Sequence, residues 1–265
     1  MGELFSAKSI VLHRRHLNEN SEVVLLLSSD RGRIDAVCSG LNRPHSSLRG
    51  QVEPFTELEG FFTKGRGGLA RLTQAKALKV RPIFYADYEC LCWGSYLLEL
   101  FASVAPGLQT NGYGAEPAEC GRFYAVLAEA LDNLSAYPRK GAAVSVWVLY
   151  HLLRLLGSAP HLTRCALCGT ECSLNSFSST AGGTLCSTCA DWSLEAVEIS
   201  PEVVSLWRHF VGPSLAESLL ERYRPSVYAQ AEYLLWDHFY LNWHINLKSR
   251  RLLQIGEKSL ESFRY

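Results

Sequence analysis

Two cysteine pairs, Cys165-Ala-Leu-Cys168 and Cys186-Ser-Thr-Cys189, stand seventeen residues apart and are the residues of this chain whose type and spacing best specify a chemistry. Two residues between cysteines let one tight turn offer both sulfurs to a single tetrahedral ion. The intervening length suits a loop that returns a second such turn to the first. Gly169 follows the first pair and Gly182-Gly183 precede the second. Glycine suits turns that need positive φ or close approach to metal-bound sulfur. The pattern predicts one Zn(2+) held by Cys165, Cys168, Cys186 and Cys189. Four thiolates leave no position for a reacting water, so the predicted role is structural. A redox dithiol pair and a different metal are the other readings of the same residues.

The elements that must position these cysteines are helical. Ala142 to Leu156 is apolar almost all round, as expected of a central helix. Gly157 is its predicted C-cap, and Pro160 prevents continuation. The metal segment, about 162–192, therefore leaves directly from a buried helix. Upstream, Tyr88 to Val104 and Phe123 to Leu134 carry apolar residues at three- and four-residue spacing, and Pro138 stops the second run. Downstream, Pro201 to Val211 and Ser214 to Tyr223 read as short helices. A long one follows, with Ser226 as its expected N-cap. Tyr233, Trp236, Phe239, Tyr240 and Trp243 mark one face of it, expected to be buried. Lys248, Arg250 and Arg251 are expected at a solvated helix end. The acidic stretch Glu195, Glu198 and Glu202 is expected on a solvated surface.

The first eighty residues have a different period. Ser9 to His16 and Glu22 to Ser28 are rich in Ile, Val and Leu, with an Asn18-Glu19-Asn20 turn between them. Asp30 to Arg33 signals a turn, and Ile34 to Cys38 resumes the pattern. Phe55 to Phe62 and Leu69 to Val80 follow, joined by Lys64-Gly65-Arg66-Gly67-Gly68. Five short strands at this spacing fit a small barrel, of which the OB-fold is one example. Ser39 to Pro54 is a polar loop, long enough to suggest a functional role. The expected fold class is α+β and multidomain: a five-stranded β-barrel over 1–81, with the OB-fold as one candidate, then a helical domain over 82–265 that contains the four-cysteine zinc module.

Charge and composition narrow the function. The 265 residues carry 26 basic and 26 acidic side chains. Residues 1–81 hold 13 Lys/Arg against 8 Asp/Glu, and the rest hold 13 against 18. Polyanion binding, if present, belongs to the basic N-terminal part. No apolar run reaches bilayer-spanning length, and no signal-peptide hydrophobic region opens the chain, so no membrane is expected and the expected location is cytoplasmic. In that compartment Cys38, Cys90, Cys92, Cys120 and Cys172 are expected to be buried free thiols rather than disulfide partners. There is no phosphate-binding Gly-x-x-x-x-Gly-Lys-Ser/Thr loop, no Gly-x-Ser-x-Gly elbow and no His-Glu-x-x-His motif. Gly65 to Ala70 formally fits a dinucleotide fingerprint, but a strand-like run follows it where a helix should open. No enzyme is expected.

Several segments carry a family resemblance. Leu152-Leu153-Arg154-Leu155-Leu156-Gly157-Ser158-Ala159-Pro160-His161-Leu162, running into Cys165-x-x-Cys168-Gly169, gives a Leu-rich helix, Gly, Pro-x-Leu and a first cysteine pair. Phe177, Gly182-Gly183 and Cys186 extend it. Ser39-Gly40-Leu41-Asn42-Arg43-Pro44-His45-Ser46, Gln51-Val52-Glu53-Pro54-Phe55 and Tyr96-Leu97-Leu98-Glu99-Leu100 add further matches, in order, across most of residues 4–190. Together they resemble the RecO family of recombination mediator proteins. The resemblance implies an N-terminal OB-fold and a helical domain with the zinc module inserted in it, and a non-enzymatic role: binding of single- and double-stranded DNA, annealing of complementary strands, and partnership with RecR. It also implies help to RecA on DNA coated with single-stranded DNA-binding protein, whose acidic C-terminal tail such proteins commonly bind. The family often has basic residues where Ser39 and Asn42 stand, so DNA affinity through that loop is expected to be weaker or carried by neighbouring arginines.

Arg14, Arg15, Arg31, Arg33, Arg43 and Arg49 are the expected phosphate track on the barrel, because arginine forks match phosphate oxygens and stack on bases. Arg14 and Arg15 are neighbours on a strand and point to opposite faces. Two other classes compete: a zinc-stapled protein–protein adaptor with no direct DNA binding, and a metalloenzyme, which needs an open coordination position.

Overall fold

The structure, a computed structural model, describes residues 3–41, 46–65, 69–104, 116–211, 214–219 and 222–253. It divides into two compact units, Met1–Ser135 and Ala136–Tyr265.

The first unit is built on a closed five-stranded barrel in the order β1-β2-β3-β5-β4. Its strands are β1 (Leu4–Asn18), β2 (Ser21–Ser28), β3 (Gly32–Ser39), β4 (Glu57–Lys64) and β5 (Ala70–Lys79). All pairings are antiparallel except β3 with β5, which closes the barrel at Ala36↔Ala70 and Val37↔Arg71. β1 runs fifteen residues and pairs with both β2 and β4. Irregularities at Val11/His13 and His16/Asn18 let it bend around the barrel. Inward residues Val11, Val24, Leu26, Ala36, Leu58 and Phe62 fill the interior. The segment expected as a polar loop also contributes, because Leu41, Leu48 and Val52 are buried in that core.

Three helices complete this unit: α1 (Ile83–Ala86), α2 (Tyr88–Val104) and α3 (Pro117–Ala136). α2 packs on β1. The strand-to-helix change falls between Lys79 and Ile83, close to the expected position, whereas the compact units part at 135/136.

The join between barrel and helices rests on Arg81, which is buried. Its guanidinium donates to Asp132 of α3 from Nε at 2.9 Å and Nη2 at 2.6 Å, and from Nη1 to the Phe55 carbonyl at 2.8 Å. Glu57 lies 3.6 Å from Nη2, and Lys79 reaches Asp132 at 2.7 Å. Phe55 itself has φ +68°, a left-handed conformation costly for a non-glycine residue. Its ring stacks on Phe84 at 4.3 Å. Gly94 of α2 makes room for that pair: a β-carbon there would lie 2.5 Å from the Phe84 ring.

The second unit centres on α4 (Gly141–Leu155), nearly all of whose apolar side chains are buried. α6 (Pro201–Val211) and α8 (Pro225–Trp243) pack against it. Gly157, at φ +73°, ends α4 in a Schellman arrangement: its N–H donates to Arg154 O and that of Ser158 to Leu153 O.

Four local expectations are corrected. Pro225, not Ser226, opens α8: it occupies the first turn, with Arg224 at the cap and no side-chain cap bond. Proline needs no N–H there and has the required φ already. Helix within Ser214–Tyr223 is limited, among the described residues, to α7 (Leu215–Ser218). Of the α8 aromatic stripe, Phe239 is buried but Tyr240 and Trp243 are exposed, because the packed face runs through Val227, Ala231, Leu234, Leu235 and His238. Arg250 does not sit in solvent: it forks onto the buried Glu232 at 2.5 and 2.9 Å and lies over the Trp236 ring at 4.3 Å.

Arg81→Ala is predicted to destabilise the first unit by about 3–5 kcal/mol, since it leaves buried acceptors unpaired; urea unfolding measures this. Burial opposes ionisation of Asp132, yet hydrogen bonds from Lys79 and Arg81 hold its carboxyl below the ordinary range. A depressed native pKa stabilises fully above the unfolded value, about 4, and is lost as pH falls through the native one. Stability should therefore fall on acidification below about pH 4, and Asp132→Asn should flatten part of that limb.

Candidate metal centre and nucleic-acid interface

The metal segment folds as a small sheet in the order β7-β6-β8, from β6 (Leu174–Ser178), β7 (Gly183–Cys186) and β8 (Val197–Glu198). The first cysteine pair sits on a turn closed by Gly169 N–H to Cys165 O at 2.9 Å and Cys165 N–H to Thr170 O at 2.7 Å. Cys186 ends β7, and Cys189 lies on the one-turn helix α5 (Ser187–Ala190). Gly169 and Gly182 have φ of +77° and +83°. Gly183 is required by space as well: a β-carbon there would lie 2.6 Å from the His161 backbone nitrogen and nearer still to its carbonyl oxygen. That close approach pairs the chain entering the first turn with β7. His161 N–H donates to Gly182 O, Thr184 N–H to His161 O, and the Thr184 hydroxyl to Arg164 O at 2.8 Å.

These contacts bring all four ligand sulfurs within 4.8 Å of one another. Cys168 and Cys186 Sγ stand 3.7 Å apart. A tetrahedral ion with metal–sulfur bonds of about 2.3 Å requires sulfurs roughly 3.8 Å apart. Burial works against a Cys165 thiolate, but backbone N–H groups of Cys168, Cys186 and Leu167 bring its pKa down to about 6. Cys189 is pushed up to about 12, first by its hydrogen bond with Cys186. Four thiols this close cannot all ionise without a cation among them. The donor set therefore fits one metal ion, with every ligand position taken by the chain. No disulfide links any of the nine cysteines. Among the other five, Cys38, Cys90, Cys92 and Cys120 are buried as expected, and Cys172 is corrected to exposed. Burial pushes the Cys38 thiol up to about 12, so it behaves as an apolar group.

The module is tied to the helices around it. Phe177 of β6 packs against Trp207 at 5.3 Å and His238 at 6.3 Å. Ser179 donates to Asp237 at 2.6 Å, Arg208 to Glu171 O at 3.0 Å, and Gln230 to Glu198 O at 2.9 Å. Within the acidic stretch, Glu202 pairs with Arg224 at 2.5 Å.

The arginines expected to meet phosphate fall into three environments. Arg14 is half-buried and engaged by Glu22 at 2.8 Å and Glu53 at 2.5 Å, and it holds the Glu22 carboxyl below its ordinary range. Arg33 forks onto Asp35 with both bonds at 2.8 Å. Arg31 lies over the Phe5 ring at 4.6 Å, with Asp30 at 3.7 Å. Arg15 and Arg49 are exposed, with no ion-pair partner among the described residues. Arg43 lies outside the described residues, as does Asn42. Sequence reasoning missed Arg81 and the Glu232–Arg250 pair. The available signal for the latter was a glutamate on the apolar face of α8.

The family model described as Recombination protein O N terminal matches residues 1–81, and that described as Recombination protein O C terminal matches residues 86–251. A protein named DNA repair protein RecO from Syntrophomonas wolfei is 31% identical over 227 residues, 85% of each chain. One of the same name from Pelotomaculum thermopropionicum is 28% identical over 256 residues, covering 95% of this chain and 94% of that protein. Another from Desulforudis audaxviator is 32% identical over 188 residues, 71% of each. With both halves matched in order, an OB-like barrel in front and a four-cysteine cluster within the helical half, the chain belongs to the RecO family.

Proposed function

We propose that this chain is a non-enzymatic recombination mediator in DNA repair: it binds single- and double-stranded DNA, anneals complementary strands, and with RecR helps load RecA. Its substrate would be DNA coated by single-stranded DNA-binding protein, whose C-terminal tail it would engage. It would work in the cytoplasm, at the nucleoid during repair. The barrel, 1–81, would carry DNA, and 82–265 would carry structure and protein contacts. The observation that carries the reading is an OB-like barrel whose surface keeps Arg15 and Arg49 exposed and unmatched among the described residues. Annealing needs no proton transfer or metal-bound water. It needs two strands screened from each other and held together, which a cationic surface supplies.

The six arginines would not act alike. Arg14 and Arg33 already answer carboxylates, so their replacement should alter the barrel more than the DNA contact. Binding of labelled single-stranded DNA across a salt series tests this. Neutralising four to six phosphates gives a log–log slope of roughly −3 to −4. Arg15→Ala and Arg49→Ala should each make the slope shallower by about 0.7. Unchanged slopes across all the single arginine replacements would remove the track, and no binding at low salt would remove the mediator reading.

One structural zinc is proposed for the four thiolates. Such sites contribute on the order of 10–16 kcal/mol in isolated peptides. Cys168→Ala or Cys189→Ala should chiefly reduce solubility and metal content, read by elemental analysis and thermal unfolding. A quadruple cysteine variant that melts like the wild type would contradict a structural role. Cobalt substitution should give tetrahedral all-thiolate spectra, and a non-thiolate ligand would instead favour the metalloenzyme.

A specific observation supports the adaptor as second reading. Trp192 and Leu194 of the metal module are exposed beside Asp191 and Glu195. That surface suits a protein better than a phosphate backbone, and DNA binding absent at every salt concentration would favour it.

A further inference from the structure

The barrel has a second cationic face, distinct from the six arginines. Along β4, residues Leu58, Gly60 and Phe62 point inward, so Glu59, Phe61 and Thr63 point out. Phe61 is 43% exposed, although a phenylalanine on a folded surface gains nothing from water. Register sets it between Ser6 of β1 and Gln74 of β5. One row away Arg71 stands opposite Thr63, and one row the other way Lys76 stands opposite Glu59. Arg71 and Lys76 are exposed and have no ion-pair partner among the described residues. The rows holding Arg71 and Lys76 are four β4 residues apart, about 13 Å at roughly 3.3 Å per residue. The aromatic ring lies between them.

The ladder is also irregular at this point. Phe61 pairs with Gln74 but Phe62 with Leu72, so Thr73 is an extra residue opposite them. Its hydroxyl donates to the Phe61 carbonyl at 2.9 Å. Such a bulge locally re-aims side chains on an outer face. The result is an outward aromatic flanked by two exposed cations that form no ion pair among the described residues.

We infer that this β1–β4–β5 face binds single-stranded nucleic acid, a base stacking on Phe61 while neighbouring phosphates meet Arg71 and Lys76. The inference rests on the DNA-binding reading above and names a surface for it. An aromatic ring with cations on either side is the arrangement that grips single strands without regard to sequence, since every base has a stacking face. A duplex cannot use it the same way, because its bases are already stacked on each other. Glu59 opposes phosphate here and moderates Lys76.

The test uses the full chain, a labelled oligothymidine and a salt series. Phe61→Ala should weaken binding between about fivefold and a hundredfold with the salt slope unchanged, and Phe61→Trp should restore it. The Arg71→Ala/Lys76→Ala double variant should make the slope shallower by about 1.4. Glu59→Gln should tighten binding by about two- to fivefold. All sites are on the surface, and thermal unfolding checks that the variants fold. If the wild type binds with a normal slope and all these variants match it, this face is overturned while DNA binding stands. The face is overturned in the same way if only Arg15→Ala and Arg49→Ala matter. If the wild type binds no oligothymidine at low salt, both readings fall.

Discussion

A guanidinium removed from water must be met on every side, and the first unit is organised around one that is. Arg81 stands where the chain leaves the barrel. It joins Asp132 of α3 to the Phe55 carbonyl at the start of β4. That carbonyl belongs to a residue held at positive φ, whose ring then lies flat on Phe84 and against the gap left by Gly94. One buried charge thus fixes where the last strand ends, how β4 begins and where α2 and α3 lie. The same electrostatic cost makes the arrangement specific, because an incompletely met buried charge is strongly destabilising.

Charge matching also sorts the barrel surface. Arginines beside carboxylates, as in the Arg33–Asp35 fork, have their donors engaged within the fold. Exposed Arg15, Arg49, Arg71 and Lys76 keep their charge directed at solvent. The two kinds differ in whether an ion pair forms among the described residues: Lys76 stands opposite Glu59 across the strands without one. In the second unit the constraint is chemical: four ligand sulfurs within 4.8 Å could hold one metal ion, and the Gly183–His161 approach and the Thr184 hydrogen bonds bring them together.

The parts legible in the sequence were those encoded locally. Strand alternation from Ser9 to Val80, helical spacing in Tyr88–Val104 and the Gly157 cap all report their own conformation. The Cys-x-x-Cys pairs report a shared ligand because two residues are the span of one turn. What was not legible depends on pairing at a distance. Arg81 and Asp132 are 51 residues apart, and Ser145 and Glu232 are 87 apart. The α8 aromatics share a helical face, but which part is covered depends on α4, so Phe239 is buried and Trp243 is not. Phe61 stands beside Phe62 in sequence, and alternation along a strand lets only one of the two face the core. Phe61 is the outward one because Leu58, Gly60 and Phe62 take the buried alternate positions of β4, and only the register places it beside Ser6 and Gln74.

The central proposal is that the barrel takes the nucleic acid while the half with the four-cysteine cluster does not. Hydrogen–deuterium exchange of the full chain, with and without single-stranded oligonucleotide, tests this most directly. The account predicts slowed amide exchange confined to peptides from β1 through β5. Protection confined to peptides from α4 onward, with the barrel unchanged at saturating oligonucleotide, would contradict it.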